Sequence, residues 1–264
     1  MAEVLTRDLS DGILTLTLDR PESRNALDQA AVDALHAAFG EAEHDDAVSV
    51  VVLTGAAQPG HPAEKQIFIA RADIRQLKER TVEDAFRAIN SALFRRIGDF
   101  PKATIAAMAG SAFGGGLEIA MACDLRVAST SGKYGLTETG LGILPGAGGT
   151  QRLPRLVGLG RAKEMIFTGK LVDGAEAARI GLVTRAAPPD QVLPVAMELA
   201  RTIQARGPIA VRLAKRAVDL SASLAMNDGF YFEILAQAAT FGSKDKVEGM
   251  SAFLEKRKAK FTGA

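Results

Sequence analysis

The sequence predicts an α/β fold in which short strands alternate with helices and a purely helical region follows. Residues 49–54 (Ser-Val-Val-Val-Leu-Thr) and 104–108 are short and apolar enough to be strands buried on both faces. Each leads through a turn into helix-forming sequence. After Pro188-Pro189-Asp190 the composition shifts, and residues 190–260 are almost entirely helix formers. The expected organisation is therefore a core over 1–189 and a helical region over 190–264. Hydrophobic residues make up 47% of the 264, ample for one large packed core.

Residues 4–7 and 13–18 read as two strands joined across Ser10-Asp11-Gly12, with Ile13, Thr15 and Thr17 alternating against Leu14, Leu16 and Leu18. A loop over 20–27 precedes Asp28, which can cap a helix running to about residue 43. The 49–54 strand ends at Gly55, and a loop rich in Pro, Gly and Gln extends to Phe68. Phe68-Ile69-Ala70-Arg71-Ala72-Asp73-Ile74-Arg75 then turns into a helix, so helix N-terminal N–H donors open near Ala72, where Asp73 can cap. Helical sequence continues through Asp99 and stops at Pro101.

Residues 103–123 form the most apolar run in the chain, and Glu118 is the one side chain in it that can be charged near neutral pH. The run is long enough to cross a bilayer, but it holds four glycines and a glutamate that would cost several kcal/mol in hydrocarbon. It reads instead as a buried strand over 104–108, a glycine turn, and a short buried helix from about 115 to 122. Gly114, Gly115 and Gly116 fall where that helix begins. Unpaired N–H groups there carry partial positive charge, and the lack of Cβ atoms lets an electronegative atom approach. Glu118 lies three residues beyond Gly115 on the same face of the first turn, which points a carboxylate and an N–H donor into one pocket. From these residues alone, a glutamate that complements the helix dipole and reaches solvent is the other reading.

Residues 124–128 read as a strand and 129–133 as a turn. Glu138 follows beside the glycine-rich 140–149, and taken alone it is a surface carboxylate in a loop. Residues 151–171 look helical with breaks at Pro154 and around Gly158-Leu159-Gly160. Asp173 caps a helix over 175–180, and Leu182-Val183-Thr184 is a final short strand. The tail divides into helices near 190–206, 208–221, 223–240 and 244–260. Phe230, Phe232, Leu235 and Phe241 make it too apolar to stand in water alone, so it packs on the core or on another copy of the chain.

A formal net charge of +1 supplies no overall field for nucleic acid or an anionic membrane, so any anionic ligand is held by local groups. His36, His44 and His61 lack ligand spacing among themselves or with Cys123, so no metal site is expected. The lone cysteine sits in an apolar segment and reads as a core residue. The chain opens without a basic segment followed by an apolar core, and a cytoplasmic setting is expected.

Taken in order, the motifs resemble those of the crotonase, or enoyl-CoA hydratase/isomerase, superfamily. The likeness runs from Arg20-Pro21 with Asn25-Ala26-Leu27, through Ala72-Asp73-Ile74, Gly114-Gly115-Gly116-Leu117-Glu118 and Glu138, to Leu144-Pro145-Gly146-Ala147-Gly148-Gly149-Thr150-Gln151-Arg152-Leu153. It ends on Glu248-Gly249-Met250-Ser251-Ala252-Phe253 with Glu255-Lys256-Arg257. It implies a spiral of ββα repeats with a C-terminal helical trimerisation region, often as two stacked trimers. It further implies hydration of a 2-enoyl-CoA in fatty-acid or branched-chain amino-acid breakdown, with no cofactor beyond the CoA of the substrate. The N–H groups of Ala72 and Gly115 would bind the thioester oxygen, in agreement with the two helix starts read above. Within the family, hydratases resemble this chain in having both glutamates. Glu118 would be the water-activating base and Glu138 the proton donor, because two carboxylates about one water can hold a proton between them. Gly146 would help hold Glu138 or the water. CoA contacts would fall at Arg24 and Ala26, at Ala70, Arg71, Asp73, Ile74 and Arg75, and at Phe253 and Lys256 of the last helix. Lys256 is otherwise an ordinary solvated charge.

One departure stands out: the family usually has glycine where this chain has Arg71. A side chain there tilts the adjacent donor if the backbone needs φ > 0, or else reaches a CoA phosphate or an acyl carboxylate. The segment 114–155, with Ala162-Lys163-Glu164-Met165-Ile166-Phe167, looks closest to the methylglutaconyl-CoA hydratase branch, some members of which bind RNA through a lysine-rich helix. Here that helix carries Glu41, Glu43, Asp45 and Asp46, which oppose phosphate, so no nucleic-acid partner is expected. An isomerase, hydrolase or decarboxylase on the same scaffold, and a CoA binder without catalysis, are the alternatives.

Overall fold

The computed structural model of the protein describes residues 4–70 and 74–264. β1 (Leu5–Ser10) and β2 (Ile13–Leu18) form the expected antiparallel hairpin, turned through Asp11 and Gly12 at positive φ. Asp28 caps α1 (Gln29–His44), its carboxylate accepting the Ala31 N–H at 2.9 Å. Then follow β3 (Val50–Gly55), β4 (Ile67–Ile69) and the helices α2 (Ile74–Glu79), α3 (Val82–Arg87) and α4 (Ile89–Gly98). β5 (Ala103–Met108) and β6 (Ser111–Phe113) lead into α5 (Gly115–Ala122), every residue of which is buried. β7 (Leu125–Ser129) and β8 (Lys133–Gly135) precede α6 (Gly149–Val157) and α7 (Leu159–Thr168). β9 (Val172–Asp173), α8 (Gly174–Arg179) and β10 (Arg185–Ala187) complete the core. The helical tail comprises α9 (Val192–Gln204), α10 (Pro208–Leu220), α11 (Met226–Phe241) and α12 (Lys244–Leu254).

Two sheets result. One has the order β1-β2-β3-β5-β7-β10, the other β4-β6-β8-β9. Strands consecutive in the chain, β3 and β4, β5 and β6, β7 and β8, part company, one to each sheet, before helices follow. Each of these three turns therefore lengthens both sheets by one strand, which winds the chain into the spiral. α1, α4 and α5 contribute to the main apolar core, while α9 covers the other face of the larger sheet with Val192, Ala196 and Ala200 against Val50, Val52 and Ile105. The tail thus begins as part of the core. α10 is held to it by an ion pair, Lys215 Nζ to Asp124 Oδ1 at 2.7 Å. α10 and α11 contain no buried residue in the single chain. Cys123 is a core residue, and burial pushes its thiol up to about 12. Among the described residues no helix is long and apolar enough to cross a membrane.

Four sequence readings need correction. β4, β6, β8 and β9 are too short to show periodicity, and Ser111–Phe113 form the strand β6 where the sequence reads as glycine turn. Residues 182–184 are not a strand: the N–H groups of Leu182 and Val183 both bond back to the Ala177 carbonyl of α8, and the strand starts at Arg185. Pro154 does not break α6, because the ladder resumes with the Gly158 N–H on the Pro154 carbonyl at 3.0 Å. α12 stops at Leu254, where Lys256 turns left-handed (φ 55°) and Arg257 N–H closes on the Ala252 carbonyl at 3.0 Å.

Candidate active site

β4, β6 and β8 are parallel neighbours, so their carboxyl ends share one edge of the smaller sheet. The segment at Ala70 leaves the first, Gly115 the second and Glu138 the third. Ligand sites form at such edges because strand ends and helix starts converge there. Gly114 adopts φ 52° and ψ −126°, a conformation L side chains rarely take, and reverses the chain into α5. At Gly116 a Cβ would lie 1.8 Å from the Ile69 carbonyl oxygen, so only glycine lets α5 begin against the end of β4. The predicted donor at Gly115 is therefore set by a backbone-to-backbone contact.

The carboxylate of Glu118 is 3% exposed, which rules out the solvent-directed reading. Its Oε1 accepts two N–H groups, from Ala147 and Gly149, each at 2.8 Å. Gly149 opens α6, so the acid also meets the positive end of that helix. A Cβ at Gly149 would sit 2.9 Å from this oxygen and 2.8 Å from Leu136 Cδ1, and glycine is what admits the carboxylate. Arg152, one turn along α6, donates to the Ala147 carbonyl at 3.2 Å and to the Phe94 carbonyl at 3.0 Å. It clamps the loop that holds Glu118 and adds positive charge nearby. Burial raises the Glu118 pKa above the ordinary carboxylate value; the two N–H bonds and Arg152 oppose that shift without cancelling it. A carboxylate so placed takes up a proton nearer neutrality, as a general base requires.

Glu138 opens a short helical turn and is half-buried, not the free surface acid of the plain sequence reading. It lines one cavity of about 390 Å³ together with Glu118, Gly114, Gly115, Gly146 and Ala147. The two acids and the helix start thus face a common space, while the donors found on Glu118 are Ala147 and Gly149. Those two and Arg152 lay inside the quoted 144–153 run without a role. The signal was present as a glycine pair directly before a helix.

Of the residues the resemblance assigns to CoA, Arg24, Ala26 and Ala70 come together. Arg24 and Asn25 have left-handed φ of 56° and 55°, and the Arg24 carbonyl accepts the Ala70 N–H at 3.1 Å. Asn25, fully buried, fixes this loop by donating to the carbonyls of Ala56 at 2.9 Å and Phe68 at 3.1 Å. Ile74 lines the cavity. Arg71, Ala72 and Asp73 lie outside the described residues, as does the side chain of Arg75. Phe253, 84% exposed, lies near the end of α12 and Lys256 just beyond it, and neither lines the cavity.

The chain matches the family model described as enoyl-CoA hydratase/isomerase over residues 8–264. A Clostridium acetobutylicum protein named short-chain-enoyl-CoA hydratase is 41% identical over 248 residues, covering 93% of this chain and 92% of that protein. A Syntrophomonas wolfei protein named crotonyl-CoA hydratase is 38% identical and covers 98% of each. Among solved structures, a Bacillus anthracis enoyl-CoA hydratase superposes with a TM-score of 0.93 at 37% identity, covering 99% of this chain and 100% of that one.

Proposed function

The chain belongs to the enoyl-CoA hydratase/isomerase family, and from that premise we propose that it adds water across the 2,3-double bond of a short-chain 2-enoyl-CoA to give the 3-hydroxyacyl-CoA. The observation that carries this reading is the pair of glutamates, Glu118 and Glu138, lining one cavity with the start of α5. The Gly115 N–H, with that of Ala72, takes the thioester oxygen and stabilises the negative charge that develops there as C3 is attacked. One such donor typically contributes about 3 kcal/mol to the barrier. Glu118 removes a proton from water as its oxygen bonds to C3. Glu138 delivers a proton to C2, with Gly146 lining the space between. No cofactor is required beyond the CoA of the substrate, whose contacts we place at Arg24, Ala26 and the segment following Ala70.

Incubation with crotonyl-CoA should abolish the ultraviolet absorbance of the enoyl thioester, and persistence of that absorbance with every short enoyl-CoA would overturn the reading. Glu138→Gln should lower kcat by about 10²-fold with little change in KM, as for loss of an acid group. Unchanged kcat would remove Glu138 from the mechanism.

We further propose a homotrimer or a dimer of trimers built through α10 and α11. Phe230, Tyr231, Ile234 and Leu235 are each more than half exposed in the single chain, a larger apolar surface than a lone chain keeps in water. Sedimentation should give the mass of a trimer or hexamer; a monomer would refute this.

A further inference from the structure

The two oxygens of Glu118 are not used alike. Oε1 takes both N–H donors, from Ala147 and Gly149, and among the described residues nothing donates to Oε2. What fixes Ala147 therefore fixes which oxygen is left for the cavity. Ala147 is held from its other side by Arg152, whose Nη1 donates to the Ala147 carbonyl at 3.2 Å while Nη2 donates to the Phe94 carbonyl of α4 at 3.0 Å. The guanidinium thus ties the loop before α6 to a helix that itself packs on α5. The space for this fork is provided by two glycines. At Gly148, with φ 110°, a Cβ would come within 2.1 Å of Nη1, and at Gly98 within 3.2 Å of Nη2. A lysine, with one compact ammonium, does not reproduce such a planar two-armed grip. Arg152 makes no ion pair among the described residues, and of the titratable groups around it Glu118 acts on it most, ahead of Cys123, Asp99 and Arg95.

We propose that Arg152 is a positioning residue for the hydration: by gripping the Ala147 carbonyl it holds the Ala147 N–H on Glu118 Oε1 and so keeps Oε2 for the attacking water. The proposal rests on reading Glu118 as the water-activating base. The same guanidinium also favours the ionised form of Glu118, against burial. Grip and charge leave different marks, the first on kcat and the second on the pH at which activity is lost.

Arg152→Met removes the fork and the charge at similar length. It should lower kcat for crotonyl-CoA hydration by about 10-fold with KM changed less than about 2-fold, and move the acid limb of kcat/KM to higher pH. Arg152→Lys restores the charge without the fork, so the limb should return toward its parent position while kcat stays below the parent value. In a Glu118→Gln background neither substitution should lower the residual kcat further, because a residue acting through Glu118 then has nothing to act on. An equal loss in both backgrounds, or an acid limb unmoved in Arg152→Met, would overturn the proposal. Should Arg152→Met not fold, Arg152→Lys compared in the two backgrounds decides the matter alone. A readout without turnover separates this from the proposed function: the pH window over which Glu118→Gln changes the melting temperature should lie higher in the Arg152→Met protein. Glu138, Asp84 and Arg80 also line the cavity, but they are common to every protein compared. A shifted window in a chain that hydrates no enoyl-CoA sinks the hydratase reading alone. A window that stays in place sinks the role of Arg152.

Discussion

Glu118→Gln is expected to reduce kcat for crotonyl-CoA hydration by about 10²-fold or more while leaving the fold in place. Glutamine keeps an oxygen for the Ala147 and Gly149 N–H groups, so the loop ahead of α6 stays anchored. What disappears is the capacity to take a proton from water. The pH dependence gives an independent reading. The Glu118 pKa is raised above 4.5 by burial, so the acid limb of kcat/KM should lie above the ordinary carboxylate range and be missing from the residual activity of the variant. Stability should follow with a definite sign. The folded chain binds this proton more tightly than the unfolded chain, so the contribution of Glu118 is fully present below 4.5 and is lost as pH rises through the folded pKa. The melting temperature of Glu118→Gln relative to the parent should therefore climb across that window and level off above it. Near-normal turnover, or a flat difference in melting, would contradict the assignment.

Gly116→Ala should be nearly as damaging although it alters no reacting group. The added methyl would meet the Ile69 carbonyl oxygen at 1.8 Å, and since both partners are backbone, either α5 or the end of β4 must move. The Gly115 N–H, the proposed oxyanion donor, moves with it. Loss of one oxyanion donor lowers kcat by about 10² to 10³-fold, and an effect of that order is expected here, together with a lower melting temperature. Gly160→Ala is the matching control, since nothing lies within 4 Å of a Cβ there and turnover should be unaffected. A Gly116→Ala protein with unaltered kcat would show that α5 need not abut β4.

How much of this was legible depended on element length and on what each residue contacts. β3 and β5 announced themselves as apolar runs, and α1 as an Asp-capped helix, because local propensity and burial agree in those stretches. β4, β6, β8 and β9 have three residues or fewer, too few for any alternation to register, yet three of them present the site. Glu118 was identifiable as an unusual buried acid in a helix start, but its anchoring on Ala147 and Gly149 was not, since those donors lie about 30 residues away and only the tertiary fold joins them. Glu138 shows the opposite limitation: nothing local distinguishes it from a loop carboxylate, and only the family pattern singled it out. Leu182 and Val183 misled because their apolar side chains serve packing beneath α8 while their amides are already spent on Ala177.

The smaller sheet has one further consequence. With β4, β6 and β8 side by side, the points where the chain leaves them, near Ala70, Gly115 and Glu138, are set apart by the lateral repeat of parallel strands, about 4.8 Å per step. That repeat is a property of the peptide group itself and does not vary with side chains. The cavity lined by Glu118 and Glu138 is therefore laid out on a gauge that substitution of surface residues does not recalibrate.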